Sequence, residues 1–266
     1  MELHAHTDPR TARAPVSGKL PCVRRVLVCV VLVAGIARAD ETSELAAISQ
    51  AAAGCDAARA HCFGIRLHVA TGEAGLIASP TWVATQLAAA NRQFLPLDVG
   101  FQLVGIDAKS SPHVHSRKER DALGAQIGGT VIDVFITGQL DDVDPEGVTV
   151  YGVTWRRGDR KFIIVSTKAW ERTLAHELGH FFGLPHSTYA VSIMNKTERA
   201  EPPIDQRRFA DEEIAQLKRG LQRLLRGKVI VDVTARATSP AAASPRRCSS
   251  PRARPRRSCP RARRAG

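Results

Sequence analysis

The chain has 266 residues and a mass of 28.8 kDa, and its residues are 44% hydrophobic and 24% charged, which is enough apolar sequence to bury a core and excludes disorder along the whole length. The net charge of +12 lies at the two ends. Ten arginines and no acidic residue occur from Arg236 onward, and residues 1–39 carry six basic against two acidic residues. Because these segments together exceed the whole net charge, the middle of the chain is mildly acidic. The high charge therefore does not predict that the folded part binds nucleic acid specifically.

Residues 1–39 have the charge and hydropathy order of a secretory signal peptide with an extended leading region. Arg24 and Arg25 precede the apolar run 26–36, and Ala37-Arg38-Ala39 follows, so we expect cleavage after Ala39. Eleven apolar residues are about half of the ~20 that a membrane helix needs, which favours cleavage over an uncleaved anchor. We predict an exported mature protein, periplasmic or extracellular, without a stable membrane span.

Two of the six cysteines, Cys55 and Cys62, lie in the predicted mature domain, where an exported protein can oxidise them. On one continuous helix, seven residues would separate their Cα atoms by about 10 Å, which is too far for a disulfide. Two interpretations stay open. Either a helix ends between the two cysteines, which Gly54 and the break near His61 permit, and they form a disulfide, or they are two free buried thiols.

Hydrophobic periodicity predicts alternating helices and strands between residues 41 and 225. Ser79-Pro80 is typical of a helix start. The predicted elements, in chain order, are a helix over 41–60, a strand over 66–70, a helix from Pro80 to about Gln93, a strand over 97–106, a polar loop over 109–121, strands over 130–137, 148–155 and 161–167, a helix over 169–182 that ends at Gly183, and an amphipathic helix over 209–225. From Ala235 the chain is rich in Arg, Pro, Ser and Ala, which predicts disorder.

The strongest chemical signal lies between residues 176 and 186, which read His-Glu-Leu-Gly-His-Phe-Phe-Gly-Leu-Pro-His. The four-residue spacing places His176 and His180 one turn apart on one helix face, so that two imidazoles can reach one ion. Gly183 can adopt a positive φ and end the helix, which lets the following loop bring His186 to the same ion. We therefore predict one catalytic Zn²⁺ with three histidine ligands.

Three imidazoles leave one position of a tetrahedral zinc open, as in catalytic rather than structural sites. Zinc can lower the pKa of a bound water to about 7, and Glu177 is placed to take its proton and later pass it to a leaving amine. Two other interpretations are weaker. The histidines could merely be satisfied core or surface residues, or they could hold an inert metal, which would not need Glu177.

This motif resembles that of the metzincin zinc metalloproteases. Residues 192–195, Ser-Ile-Met-Asn, resemble the methionine-containing turn, the Met-turn, that this family places beneath the metal, and Met194 is the only methionine besides Met1. Ser187, directly after the third histidine, resembles the residue that matrixins have at this position, which favours a matrixin-like secreted bacterial member. The extra tyrosine ligand of astacins and serralysins has no counterpart, because Lys196 stands two places after the methionine.

The resemblance implies an α/β (α+β) catalytic domain. Such a domain has a twisted, mostly parallel sheet with one antiparallel edge strand, an active-site helix, the Met-turn and a C-terminal helix. It further implies that the strand over 148–155 is the edge strand above the cleft, along which a substrate peptide lies extended. Tyr189, just past the third histidine, is a candidate to line this cleft or to hold a substrate oxyanion.

Two weaker metal sites are also candidates. Asp141, Asp142 and Asp144 could bind Ca²⁺, as some secreted family members do, although turn residues of this kind are commoner without a metal. His113 and His115, in the polar loop, could hold a second zinc, and the alternative is that they are solvated loop histidines.

We therefore predict a signal peptide over 1–39, a zinc metalloprotease catalytic domain over 40–230 and a disordered basic tail over 231–266. The predicted activity is that of an exported zinc endopeptidase acting on protein or peptide substrates, with Glu177 as general base and acid. The alternative is a non-catalytic, zinc-dependent protein that binds a peptide or a glycan. The tail is interpreted mainly as a solvated segment, with contact to polyanions as the minor interpretation.

Overall fold

The computed structural model describes residues 41–52, 54–144 and 147–233. The predicted signal peptide and the basic tail from Ala235 lie outside the described residues, so both stay predictions. Within the described ranges, no helix is long and apolar enough to cross a bilayer. The folded part continues past residue 230, because the Val233 N–H donates to the Cys62 carbonyl and Asp232 forms a β-bridge with Phe63.

Helices and strands alternate along the described chain, as the hydrophobic periodicity predicts. In chain order they are α1 (residues 41–51), β1 (His61–Gly72), β2 (Gly75–Leu76), α2 (Pro80–Gln93), a 3₁₀ turn (Leu95–Leu97), β3 (Val99–Ser110), β4 (His113–Val114), α3 (Arg117–Leu123), β5 (Ile132–Thr137), β6 (Gln139–Leu140), β7 (Gly152–Arg157), β8 (Arg160–Ser166), α4 (Thr173–Phe182), a 3₁₀ turn (Ile204–Gln206) and α5 (Asp211–Arg226).

The main sheet has the order β3-β1-β5-β8-β7. The first four strands are mutually parallel, and β7 runs antiparallel to β8 at the edge. β2 adds a short antiparallel pair at the end of β1, and β4 and β6 form a separate two-stranded parallel sheet. All six residues of β5 are buried, as expected for a central strand of a sheet that is covered on both faces. The predicted mixed α/β fold with one antiparallel edge strand is confirmed.

Several boundaries differ from the predicted ones. The first helix is helical only to residue 51, not to residue 60, and the chain then loops back so that Cys55 and Cys62 form a disulfide with Cα atoms 6.0 Å apart. β1 begins at His61 rather than residue 66, because burial on both faces removes the alternation that marks a strand start. The predicted edge strand over 148–155 is shifted to Gly152–Arg157.

The predicted polar loop over 109–121 is wrong in part, because it contains β4 and most of α3. The Ser116 side chain accepts from the Glu119 N–H while the Glu119 carboxylate accepts from the Ser116 N–H, which is a complete capping box. A helix of seven residues has too few apolar positions to show a clear period. The capping signal Ser-x-x-Glu was therefore its only sequence mark.

α4 carries the predicted zinc motif and packs against α2, α5, β7 and β8. Its buried apolar side chains are Leu174, Ala175, Leu178, Phe181 and Phe182. These residues anchor one side of the helix in the main core and leave His176 and His180 on the side that faces β7 across a cleft. α2 begins as predicted, with the Ser79 hydroxyl accepting from the Trp82 N–H.

Candidate metal centre and active site

The structure brings the three predicted histidine ligands together. α4 ends at Gly183, whose φ of 105° lies in the left-handed region that favours glycine, and the chain turns back toward the helix there. His180 Nε2 lies 3.1 Å from His176 Nε2 and 3.2 Å from His186 Nε2. Ligands around a tetrahedral zinc, with Zn–N bonds of about 2.0–2.1 Å, are separated by roughly 3.3 Å. The spacing of the three nitrogens therefore fits one zinc ion.

Backbone carbonyls fix the proton positions of two of these rings. His176 Nδ1 lies 2.7 Å from the Ile193 carbonyl oxygen, and His180 Nδ1 lies 2.7 Å from that of Leu184. Because a carbonyl only accepts, each Nδ1 carries the proton and each Nε2 of a neutral ring presents a lone pair. Two lone pairs that face each other at 3.1 Å repel unless a cation lies between them, so the donor set itself fits a metal ion.

Burial keeps the three rings in the neutral form that binds metals. It lowers the pKa of His176 to about 4, against a smaller raising effect of the hydrogen bond to Ile193. It also lowers the pKa of His180 and of His186. A neutral imidazole is the form that coordinates a metal, so the cluster needs no deprotonation step near neutral pH.

Glu177 is buried beside the cluster, and its carboxylate is not one of the converging ligand atoms. The Thr154 hydroxyl, on β7, lies 2.9 Å from Glu177 Oε2 and 2.7 Å from the Glu177 backbone oxygen. Burial raises the pKa of Glu177 to about 7, and the hydrogen bond from Thr154 opposes this effect. A carboxyl group with a pKa near neutrality can both accept and release a proton, which is what a general base and acid requires.

Met194 is fully buried under α4, where the resemblance to metzincins places it. A Cβ atom at Gly179 would lie 2.6 Å from Met194 Sδ, so the glycine of the motif allows the helix to approach this side chain. The neighbouring Ile193 supplies the carbonyl that orients His176. The turn over 192–195 therefore positions a metal ligand directly.

A buried hydrogen-bond network holds this turn. Ser192 Oγ accepts from the Met194 N–H at 2.8 Å and lies 2.7 Å and 2.8 Å from the two carboxylate oxygens of Glu213, on α5. Glu213 Oε2 also accepts from the Ala210 N–H at 2.7 Å. Sequence reasoning missed Thr154 and Glu213, and it named Ser192 only as part of the turn. Their partners are 21 to 23 residues away, and no local spacing marks such contacts.

The histidines and Glu177 line a cleft of about 500 Å³ whose wall is β7. In the described part of the chain, β7 pairs with β8 on one side and with no strand on the other, so a peptide can add to this edge. The charged side chains in the lining, apart from Glu177, are Asp142, Arg156, Lys161 and Lys196. Tyr189 is not among the lining residues. Its side chain is exposed and its carbonyl accepts from the Ser192 N–H, so its place in the cleft stays a prediction.

The expected calcium site is not supported. Asp144 pairs with Arg117, and Asp142 Oδ1 accepts from the Val143 and Asp144 N–H groups. Asp141 instead points to two histidines, with Oδ2 lying 3.2 Å from His113 Nε2 and 2.9 Å from His115 Nδ1. Over residues 41–52, 54–144 and 147–233, no convergent group of three carboxylates occurs.

No protein-family model and no curated protein matches the chain. Among solved structures it is similar to an archaemetzincin from Methanopyrus kandleri, with 19% identity and a TM-score of 0.44 over 63% of this chain and 100% of that one. It is also similar to metalloproteinase-II from Bacteroides fragilis, with 13% identity and a TM-score of 0.46 over 62% of this chain and 54% of that one.

Proposed function

We propose that the chain is an exported, zinc-dependent endopeptidase. The observation that carries the proposal is the convergence of three Nε2 atoms within 3.1–3.2 Å of their neighbours, with a separate buried carboxyl group beside them in the same cleft. His176, His180 and His186 would hold the ion. A zinc ion bound there supplies a Lewis acid that acidifies water and polarises a carbonyl group.

The remaining chemistry falls to the side chains of the cleft. Glu177 takes a proton from the attacking water and delivers it to the nitrogen of the leaving group, so the peptide C–N bond breaks to release a neutral amine rather than an amide anion. The Thr154 hydroxyl, 2.9 Å from Oε2, holds the Glu177 carboxylate in one orientation on the cleft floor. Thr154 is thus a positioning residue, because it acts through Glu177.

The β7 edge supports a peptide as the substrate. An extended segment that adds to this edge forms main-chain hydrogen bonds, so it binds largely independently of its side chains. The β7 wall and the three histidines border the same cleft, so a peptide on this edge would have its carbonyl groups near the histidine cluster. A peptide or protein substrate is therefore favoured over a small ester or amide.

Export and a matrixin-like character belong to the same proposal. The segment 1–39 supports secretion by its sequence, and the Cys55–Cys62 disulfide suits an oxidising compartment. Ser187 supports the matrixin-like interpretation by its sequence position alone.

The test uses the purified full chain and two variants, assayed for zinc content and for cleavage of casein. Wild type should hold zinc and cleave. Glu177→Ala should keep zinc and lose cleavage by at least ~100-fold, the usual contribution of a general base. Glu212→Ala removes an exposed glutamate of α5 and should behave as wild type. Cleavage by Glu177→Ala would contradict the mechanism. A wild-type chain that binds zinc but cleaves none of many tested peptides would favour a binding protein.

A further inference from the structure

A second cluster of ligand atoms lies outside the proposed active site. His113 Nε2 and His115 Nδ1 approach the same oxygen, Asp141 Oδ2, at 3.2 Å and 2.9 Å. The two imidazole rings are tilted at 44° to each other, with centroids 3.2 Å apart. In the described ranges, two groups of side chains have ligand atoms close enough together to share an ion. One is this cluster, and the other is His176, His180 and His186.

The backbone holds these ligands in place from two distant parts of the chain. His113 is paired with Gln139 and Val114 with Leu140 in the β4–β6 sheet, and the Asp141 N–H donates to the Val114 carbonyl at 2.9 Å. Val114 and Leu140 are fully buried in a small apolar cluster. The ligands therefore project from a rigid scaffold rather than from a free loop.

The surroundings of Asp141 orient its free oxygen toward the histidines. Gln139 Nε2 donates to Asp141 Oδ1 at 2.9 Å, which leaves Oδ2 for the rings. The Arg120 guanidinium donates to the Asp141 backbone oxygen and lies 4.9 Å over the Trp155 ring, so its charge is engaged on other groups. The side chains of His113, His115 and Asp141 are 35%, 52% and 20% exposed, so an ion from solvent can reach the cluster.

We propose that His113, His115 and Asp141 bind a second zinc ion. Two imidazoles and one carboxylate suit a borderline transition ion, whereas calcium and magnesium prefer sites made of oxygen atoms alone. Three protein ligands leave a position for water. The glutamate that contacts the His115 backbone, Glu119, is engaged in capping α3, so among the described residues it is not free to act on a water at this site.

The position of this site defines its role. Asp142 and Val150 line the cleft. The Asp142 N–H donates to the Val148 carbonyl and the Val150 N–H donates to the Leu140 carbonyl, so both sequence neighbours of Asp141 are hydrogen-bonded to residues that lead into β7. An ion on His113, His115 and Asp141 ties β4 to these residues. The second zinc therefore holds the cleft wall where the chain enters the edge strand.

The test is the zinc content of the purified full chain after dialysis, compared among variants. Wild type should hold two zinc ions per chain, H176A/H180A one, H113A/H115A one, and the fourfold variant none. His61→Ala is the matched control, because His61 Nδ1 lies 3.0 Å from Asp232 in a histidine–carboxylate pair that belongs to neither group, and it should keep two. One zinc in wild type and none in H176A/H180A would overturn the proposal.

Cobalt(II) alone gives a second readout that does not depend on replacing the histidines of the second cluster. Added to the H176A/H180A chain, it should produce the absorption of one nitrogen- and oxygen-ligated site, and Asp141→Asn in that background should abolish or strongly weaken it. If the chain has the native circular dichroism spectrum but shows no cobalt absorption, the three side chains form only a hydrogen-bonded cluster and the proposal is wrong. The H176A/H180A background lacks the proposed active site, so a failed peptidase assay leaves this result unaffected.

Discussion

The two histidine clusters of this chain are held in different ways. In the first, His180 lies four residues from His176 and six from His186, and a helix turn followed by a left-handed glycine sets the geometry. In the second, the histidines are 26 and 28 residues from Asp141, and a two-stranded sheet brings them together. A site with all its ligands close in sequence is therefore visible as a spacing, whereas for the second site the sequence showed the two histidines but not the distant Asp141.

The clusters also differ in what orients their rings and in what lies beside them. Backbone carbonyls of Ile193 and Leu184 fix two rings of the first cluster, whereas a side-chain carboxylate contacts both rings of the second. The first has a separate carboxyl group, Glu177, in its cleft, whereas the described glutamate beside the second, Glu119, caps α3. These differences are consistent with the two proposals, in which the first cluster is catalytic and the second supports the cleft wall.

The largest effect on peptidase activity should come from replacing a single histidine of the first cluster. His180→Ala removes the ring whose Nε2 contacts both other ligands, so peptidase activity should fall to the assay background and one zinc should be lost. His113→Ala should also lose one zinc but keep most of the cleavage. Both statements are checked by measuring casein cleavage and zinc content on the same preparations. If the two variants lost peptidase activity equally, the two clusters would not differ in function.

A large loss of stability should follow from filling the space between α4 and the Met-turn. In an open helix, Gly→Ala stabilises by about 1 kcal/mol. At Gly179 the new Cβ would meet Met194 Sδ at 2.6 Å and the Phe209 ring at 3.2 Å, so we expect Gly179→Ala to lower the free energy of unfolding by about 1–3 kcal/mol.

Thermal and urea unfolding measure this effect, with Gly128→Ala as the control. A Cβ at Gly128 would meet nothing within 4 Å, so the change should stay within about 0.5 kcal/mol. A Gly179→Ala chain that is as stable as wild type would mean that Met194 does not lie under the helix.

Removing the hydroxyl that holds the Met-turn should have a somewhat smaller effect. Ser192→Ala leaves the Met194 N–H and the buried Glu213 carboxylate short of a partner, so we expect destabilisation on the order of 1 kcal/mol and weaker zinc binding at the first cluster. Chemical unfolding and zinc titration measure the two effects.

Ser187→Ala is the matched control for this variant. Ser187 Oγ is buried with no hydrogen-bond partner among the described residues, so its loss should not destabilise the chain. If Ser192→Ala and Ser187→Ala unfold alike, the network with Glu213 does not stabilise the turn.

Thr154 should affect the rate alone, and by far less than the loss of a histidine ligand. Thr154→Val keeps the size of the side chain but removes the hydroxyl near Glu177 Oε2, so kcat should fall about tenfold, or about 1.4 kcal/mol, with zinc content unchanged. Thr154→Ser should restore most of the rate. Wild-type kcat in Thr154→Val would show that Glu177 needs no positioning from β7.

The sequence predicted the parts of the structure that rest on local signals. Ser79-Pro80 marked the start of α2, Gly183 marked the end of α4, and the zinc motif placed three ligands within eleven residues. The family resemblance predicted a mostly parallel sheet with one antiparallel edge strand. The antiparallel pairing of β7 with β8 agrees with this prediction.

The parts that sequence reasoning missed depend on contacts between distant segments. Asp141 was assigned to a group of aspartates because its neighbours in sequence are acidic, but in space it faces His113 and His115. Thr154 and Glu213 act at the active site only because β7 and α5 pack beside α4. α3 was missed because its seven residues carry only a capping signal and no period.

Diffraction at the zinc absorption edge, from crystals of the purified full chain, tests the central claim most directly. We expect an anomalous peak about 2.0–2.1 Å from the Nε2 atoms of His176, His180 and His186, with the Glu177 carboxylate outside the coordination sphere. A well-ordered α4 whose three rings surround no peak, or a peak coordinated by Glu177 in place of one histidine, would contradict the account.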